Sequence, residues 1–207
     1  MDGVLVDGEP LHFRACNQLL GEEGLSISLE AYKPYMGTKA GWSEMMKDLG
    51  LSQPPDVYAR KYDALIVDQY RTHSVAEPGA VELVTALKRQ GLPVAVASSS
   101  RTGWVAACLE RIGLASQFDV LVSGSDIEHG KPAPDIYLLA AARLAVDPAL
   151  CLAIEDAPAG IESARAAGMT CWAVRTLYTE GLVLPSPDRE FRRIADIRIE
   201  DVVGVAA

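Results

Sequence analysis

The sequence predicts an α/β protein: a parallel, Rossmann-like sheet with an all-helical domain inserted near its start. The second half of the chain alternates short apolar runs with helical patterns of ten or more residues. The runs are apolar throughout, which is typical of strands buried on both faces. Residues 9–75 carry helix-spaced apolar residues and no convincing strand.

Four apolar runs predict the strands of the sheet: 92–100, 118–124, 150–156 and 170–175. Three helical patterns separate them: "TGWVAACLERIG", stopped by Gly113, "PDIYLLAAARLA", with Pro134 near its start, and "AGIESARAAG", ending at Gly168. Strands alternating with helices indicate a sheet covered on both faces. Functional residues of such a sheet belong at the carboxyl ends of its strands.

Two domains follow from this division. Residues 1–8 and 76–207 form the α/β core, and residues 9–75 form the inserted helical domain. Pro78-Gly79 marks a plausible hinge where the chain returns to the core.

Composition excludes several function classes. The 207 residues carry a formal net charge of -9 with no basic stripe, which argues against nucleic-acid binding. No apolar run reaches the roughly 18 residues of a membrane span, and no signal peptide is visible, so we expect a cytoplasmic protein. The sequence does not indicate the oligomeric state, and a monomer is the default expectation. The cysteines lack C-x-x-C spacing and are expected to be free, buried thiols in a reducing compartment: Cys16, Cys108, Cys151 and Cys171.

Charged and hydroxyl side chains follow the predicted strands. Asp2 lies in a "DG" turn, Ser98 ends a strand, and Lys131 lies in the Gly/Pro-rich "HGKPAPD". Glu155 and Asp156 follow the third run. Taken singly, these residues could be a turn residue, a helix cap, a solvated lysine and capping acids. Together they provide carboxylates for Mg²⁺ and a cation and hydroxyl for a phosphoryl group.

Three segments carry a family resemblance: "DGVLVDGEPLH", "GKPAPD" and "IEDAPAGIESARAAGM". They resemble the haloacid dehalogenase-like hydrolase superfamily, in the branch with β-phosphoglucomutase and sugar-phosphate phosphatases. The resemblance covers nearly the whole chain. It implies a Rossmann-like core with a helical cap inserted after the first motif, and Mg²⁺ as cofactor.

The resemblance also implies roles for single residues. Asp2 corresponds to the second aspartate of the family's D-x-D-G motif, a general acid and base whose main-chain carbonyl helps to bind Mg²⁺. Ser98 would hold the transferring phosphoryl group, and Lys131 would offset its charge. Glu155 and Asp156 would complete the metal site with Asp2.

Further candidates for binding the phosphate or the substrate are Ser99, His12, Lys39 and Arg101. In similar proteins a histidine at the position of His12 assists cap closure, although a packing role is equally open. Lys39 lies in "KPYMGTKAGW", which looks like the substrate-facing loop of the cap, and could meet a second anionic group or only solvent. Arg101 follows the serine run and is a possible phosphate or sugar contact.

The first residues of the chain bear on whether it contains the catalytic nucleophile. The family's nucleophile is the first aspartate of D-x-D-G, and Met1 stands at the x. We therefore expect the natural protein to begin upstream, with the first strand and the nucleophile before Met1. The alternative is a shortened, catalytically inactive chain.

Three functions remain open at this stage. The first is a Mg²⁺-dependent phosphatase that acts on a small phosphorylated metabolite, a sugar phosphate, through an aspartyl-phosphate. The second is a β-phosphoglucomutase-like phosphotransferase, which the lack of an arginine in residues 33–42 disfavours. The third is a non-catalytic protein that binds a phosphorylated ligand.

Overall fold

The computed structural model describes residues 1–35, 45, 47–51 and 53–204. The chain folds as two compact units. The first unit contains Met1–Asp7 and Val75–Ala207, and the second contains Gly8–Ser74. Lys39 and residues 36–42 of the predicted substrate-facing loop lie outside the described residues.

The first unit is built on parallel strands, which confirms the predicted α/β class. Within the described residues, β1 pairs with β2 in one sheet, and a second sheet has the order β3-β4-β5. The strands are β1 (Ala95–Ser98), β2 (Val120–Ser123), β3 (Leu152–Glu155), β4 (Thr170–Val174) and β5 (Arg189–Phe191). The fifth strand is not predicted by the sequence, because its three residues include two charged ones.

Helices connect and cover these strands. The helices of this unit are α4 (Ala80–Arg89), α5 (Thr102–Arg111), α6 (Asp135–Leu144), α7 (Pro158–Ala166) and α8 (Ile199–Val203). One buried cluster joins Val96 of β1 to Trp172 of β4, and another joins Ile136 of α6 to Ile161 of α7. Residues from β1 and β3 contribute to both clusters, so these strands are covered on both faces.

The second unit is helical, with α1 (Glu9–Gly21), α2 (Leu29–Tyr32) and α3 (Pro55–His73). Leu19 of α1 and Tyr58 of α3 are buried together. Cys16 and Leu20, on the same helix, pack with Tyr32. Apolar residues at helical spacing in residues 9–21 and 55–73 therefore form the buried interior of this unit.

All four cysteines are free thiols, as predicted, and three of them are buried; Cys151 is only half-buried, contrary to the prediction. Among the described residues, no helix combines the length and the apolar character needed to cross a membrane.

A pair of substitutions on α6 tests the described core. Ile136 is 0% exposed and Leu138 is 42% exposed on the same helix. We expect Ile136→Ala to lower the free energy of unfolding by about 2–5 kcal/mol, because it removes buried apolar contacts and leaves a cavity. Leu138→Ala is the control and should change it by less than about 0.5 kcal/mol. Urea unfolding measures both, and equal losses would contradict the packing described.

Candidate active site

The candidate site lies where parallel strands end. Ser98 is paired in register with Ser123 at the end of β1 and β2, and Glu155 with Ala173 near the end of β3 and β4. Parallel strands present their carboxyl ends at the same edge of a sheet. The backbone therefore brings polar residues from distant parts of the sequence to this edge.

Asp2 is held in a tight turn at the start of the chain. The Gly3 N–H donates to the Val6 carbonyl at 2.8 Å, and the Leu5 N–H donates to the Met1 carbonyl at 2.7 Å. Gly3 has a φ of +73°, and a Cβ atom there would stand 2.1 Å from Oδ2 of Asp156. Only glycine permits both this backbone and this approach, so Asp156 lies against the Asp2-Gly3 backbone.

Ser100 connects Asp2 to the end of β1. Its hydroxyl donates to Oδ2 of Asp2 at 3.1 Å. Its N–H donates to the hydroxyl oxygen of Ser98, at 3.2 Å, and Ser98 is buried. Ser100 is not among the site residues that the sequence predicts, although it belongs to the "SSS" run. The three residues form one hydrogen-bonded chain at this edge.

Lys131 lies in a cage of three groups. Its ammonium donates to the Glu155 carboxylate, to the Ala97 carbonyl at 3.3 Å and to the Tyr137 hydroxyl at 3.3 Å. It also stands 4.8 Å from the centre of the Tyr137 ring, an arrangement that attracts a cation. The Tyr137 hydroxyl donates to the same carboxylate oxygen of Glu155. Lys131 thus bridges the ends of β1 and β3.

Gly160 makes room for the Glu155 carboxylate. A Cβ atom at position 160 would stand 2.1 Å from Cδ of Glu155. Because Gly160 lies in α7, alanine would favour the helix there but would displace the carboxylate. The glycine therefore fixes where Glu155 can meet Lys131.

The two neighbouring carboxylates differ in their ionisation. Burial opposes the charge on Glu155, but the Lys131 ammonium and the hydrogen bonds outweigh it, so the pKa of Glu155 is lowered. Burial first and the Glu155 charge second raise the pKa of Asp156 to about 7. Asp2 adds to this effect. The Met1 ammonium offsets part of this rise, whereas Glu155 has the full ion pair with Lys131.

The remaining predicted binding residues make other contacts, are exposed or lie outside the described residues. The Ser99 side chain is exposed, and the Arg101 guanidinium stands 5.6 Å from the centre of the Trp104 ring. Lys39 lies outside the described residues. His12 belongs to the helical unit, where its ring nitrogens contact the hydroxyls of Tyr62 at 2.6 Å and Tyr70 at 3.0 Å.

Comparison with known proteins agrees with the motifs. Residues 1–168 match the haloacid dehalogenase-like hydrolases. The chain belongs to this hydrolase family. The predicted family and the predicted enzyme class, a hydrolase, are therefore confirmed.

Curated relatives of this hydrolase include phosphatases. It is 34% identical over 180 residues to fructose-1-phosphate phosphatase YqaB of Escherichia coli K12, covering 86% of this chain and 94% of the relative. It is 30% identical to hexitol phosphatase B of the same strain, covering 100% and 92%. Protein SUPPRESSOR OF QUENCHING 1 of Arabidopsis thaliana is 37% identical over 98% of this chain, which spans 20% of that relative's length.

Solved structures share the fold of this hydrolase. The crystal structure of CbbY from Rhodobacter sphaeroides in complex with phosphate superposes with a TM-score of 0.84 at 27% identity, covering 95% of this chain and 92% of that one. This agreement supports the predicted Rossmann-like core.

The described residues of the hydrolase contain no group of three or more His, Cys, Asp or Glu side chains arranged to hold a metal ion. Glu155 is turned towards Lys131 and Tyr137, while Asp156 and Asp2 approach each other at Gly3. Mg²⁺ is commonly bound through one or two carboxylates, with water and substrate phosphate as the remaining ligands. The Asp156 carboxylate, whose charge is only partly offset, fits such a site.

Tyr137, like Ser100, is a polar residue of the site that the sequence does not single out. In "PDIYLLAAARLA" it occupies an apolar position of a helix, where a tyrosine usually contributes only its ring. Burial, and next the Glu155 charge, raise its pKa, so the hydroxyl stays protonated and donates to Glu155. The sequence signal for this residue would have been a tyrosine two residues after "KPAPD".

We expect Gly160→Ala to lower the free energy of unfolding by about 1–3 kcal/mol, because the added methyl group displaces Glu155 from its buried contacts. Gly21→Ala is the matched control. Gly21 also lies in a helix, but no atom stands within 4 Å of its added Cβ. The control should leave stability unchanged or raise it by up to about 1 kcal/mol. Urea unfolding of both variants measures the change in stability. Equal effects would contradict the close approach of the Glu155 carboxylate to Gly160.

Asp156 should make stability depend on pH. Its pKa is raised from an ordinary 3.8 to about 7, so the folded protein holds this proton more tightly than the unfolded chain. This contribution is complete below about pH 4 and is lost as the pH rises through about 7. In metal-free buffer, the free energy of unfolding should fall over this range more steeply in the unaltered protein than in Asp156→Asn. Identical slopes would contradict the assignment.

Proposed function

We propose that this protein is a Mg²⁺-dependent phosphatase that acts on a small phosphorylated carbohydrate. One observation carries the proposal: Asp2, Lys131 and Asp156 come from distant parts of the sequence to one edge of the parallel strands. The relatives named as phosphatases of fructose 1-phosphate and hexitol phosphates support this substrate class.

Ser98 provides the phosphate contact in this proposal, and Lys131 supplies positive charge beside it. The Lys131 ammonium lies beside the end of β1, where it can offset charge on the phosphoryl oxygens. The Ser98 hydroxyl oxygen accepts a hydrogen bond from Ser100, which leaves its own proton for a phosphate oxygen. The first N–H groups of α5 follow directly and add donors.

Asp2 moves the proton in this mechanism. When an aspartate nucleophile attacks phosphorus and the bond to the substrate oxygen breaks, protonated Asp2 gives its proton to that oxygen. Water then attacks phosphorus, Asp2 takes a proton from it, and the bond to the nucleophile breaks. The hydrogen bond from Ser100 keeps the Asp2 carboxylate oriented for both transfers.

The metal would be held by the Asp156 carboxylate together with the Asp2 carbonyl implied by the resemblance. Mg²⁺ bound there would neutralise charge on the phosphoryl oxygens. Glu155 acts through Lys131 instead, because its carboxylate is engaged by that ammonium and by Tyr137. The metal residues proposed here are therefore Asp2 and Asp156, whereas the sequence analysis also includes Glu155.

The arrangement of the sheets supports a position for the nucleophile. Among the described strands, β1 pairs only with β2, and β3 pairs only with β4. Lys131 nevertheless contacts the Ala97 carbonyl of β1 and the Glu155 side chain of β3. Unpaired backbone groups of covered strands are costly. We infer that a further strand pairs with both edges and ends in the nucleophilic aspartate.

The experiment uses the chain extended upstream through its natural reading frame, assayed for phosphate release with Mg²⁺. We expect release from fructose 1-phosphate or sorbitol 6-phosphate without a bisphosphate primer, and loss of release with EDTA. Asp156→Asn should weaken Mg²⁺ binding by roughly tenfold or more, measured by calorimetry, because it removes the proposed carboxylate ligand.

Glu162→Gln is the control, since Glu162 is exposed on α7 and also loses one carboxylate charge. It should bind Mg²⁺ as the unaltered protein does. Turnover that needs a bisphosphate primer would favour the mutase. An extended chain that binds phosphate without turnover would favour the non-catalytic alternative.

A further inference from the structure

A group of polar side chains lies at the end of β2, beside the proposed phosphate site, and the proposed mechanism uses none of them. Ser123, the last residue of β2, is 0% exposed and is in register with Ser98. Its hydroxyl oxygen lies 2.8 Å from the Thr102 hydroxyl oxygen and 2.6 Å from Oδ2 of Asp126. Since Thr102 is the first residue of α5, Ser123 joins the end of the sheet to the start of this helix.

The hydrogen bonds of Ser123 have a fixed direction. A carboxylate only accepts hydrogen bonds, so the Ser123 hydroxyl gives its single proton to Asp126. The Thr102 hydroxyl must then be the donor in its contact with Ser123. The buried serine therefore holds Thr102 through a chain of bonds that ends on the Asp126 carboxylate.

The Asp126 carboxylate is itself held from two sides. The Ser123 N–H donates to its Oδ2 at 2.8 Å, and Arg143 of α6 donates to its Oδ1 at 3.0 Å. Arg143 also donates to the Leu121 carbonyl of β2 at 3.0 Å. These donors, the Ser123 hydroxyl first, lower the pKa of Asp126 to about 2, so the carboxylate stays an acceptor at neutral pH. The acceptor at the end of the chain of bonds is therefore fixed in place and in charge.

The turn after β1 is packed against the same end of β2. The Gly124 N–H donates to the Ser100 carbonyl at 3.0 Å, and a Cβ atom at Gly124 would stand 2.2 Å from the Ser99 carbonyl oxygen. The helix α5 begins two residues after Ser100, and its N-cap residue Arg101 makes no side-chain cap hydrogen bond among the described residues. The first N–H groups of a helix have no partner within it. The bond from Thr102 to β2 therefore fixes a helix start whose own N–H groups remain available.

We propose that Ser123, held by Asp126, is a positioning residue for phosphate binding. Through Thr102 it fixes the first turn of α5, so that the N–H groups of this turn stay beside the phosphate that Ser98 binds. Neither Ser123 nor Asp126 touches the phosphate. This inference rests on the proposed function, because that function places the phosphate at Ser98. It predicts that loosening this turn weakens phosphate binding and leaves Mg²⁺ binding at Asp156 unchanged.

The test is calorimetric titration of the upstream-extended chain with inorganic phosphate in the presence of Mg²⁺. We expect Ser123→Ala and Thr102→Val each to weaken phosphate binding by about three- to tenfold, because each removes the same hydrogen bond. The double variant should lose no more than either single variant, since the two residues act through one contact. Thr102→Ser keeps the hydroxyl and should restore most of the affinity. Titration with Mg²⁺ alone should give the same affinity in all of these variants.

Thr72→Val is the control. Thr72 is exposed on α3 and its hydroxyl also makes a hydrogen bond, to the Asp68 carbonyl at 2.6 Å, but it has no described contact with this group. It should bind phosphate as the unaltered protein does. Should Ser123→Ala fail to fold, the comparison of Thr102→Val with Thr102→Ser, at an exposed position, still decides.

Three results overturn the inference while the unaltered protein binds phosphate, and they leave the proposed function standing. The first is an unchanged phosphate affinity in Thr102→Val or in a folded Ser123→Ala. The second is a loss in the double variant equal to the product of the two single losses, because Thr102 would then act independently of Ser123. The third is an equal loss of Mg²⁺ affinity, which indicates a general loosening of the site. If the unaltered protein does not bind phosphate, both the inference and the proposed function fall.

Discussion

The ion pair between Lys131 and Glu155 is the constraint on which the candidate site depends. Both side chains are nearly buried, at 12% and 8% exposure, and a buried charge is costly unless it is paired and hydrogen-bonded. Tyr137 supplies a second donor to the carboxylate, and Gly160 leaves the space in which it lies. Loss of either charged partner would leave an uncompensated charge at the sheet edge.

The ion pair also gives different roles to Glu155 and Asp156, two carboxylates that look equivalent in the sequence. Glu155 is the last residue of β3 and reaches towards α6, whereas Asp156 lies beyond the strand and against Gly3. Neighbouring side chains of an extended chain point in opposite directions. The first carboxylate therefore pairs with Lys131, and the second remains for the proposed Mg²⁺.

The strands and the position of the site could be predicted because both follow from local patterns. Continuous apolar runs mark covered strands, and the groups that follow them meet at one edge. The contacts that the site residues make with one another could not be predicted from local patterns. Ser100 contacts Asp2 because the chain turns after Ser98, and Tyr137 meets Glu155 across 18 residues of sequence. Such contacts depend on packing that no window of sequence contains.

The histidine of the helical unit has a consequence of its own. A neutral imidazole has one N–H and one lone pair, so of the two tyrosine hydroxyls beside His12, one must donate and the other must accept. A second proton on the ring would make both nitrogens donors, and the donating hydroxyl would have to rotate. Tyr62, His12 and Tyr70 thus form a chain of hydrogen bonds whose direction is set by which ring nitrogen carries the proton.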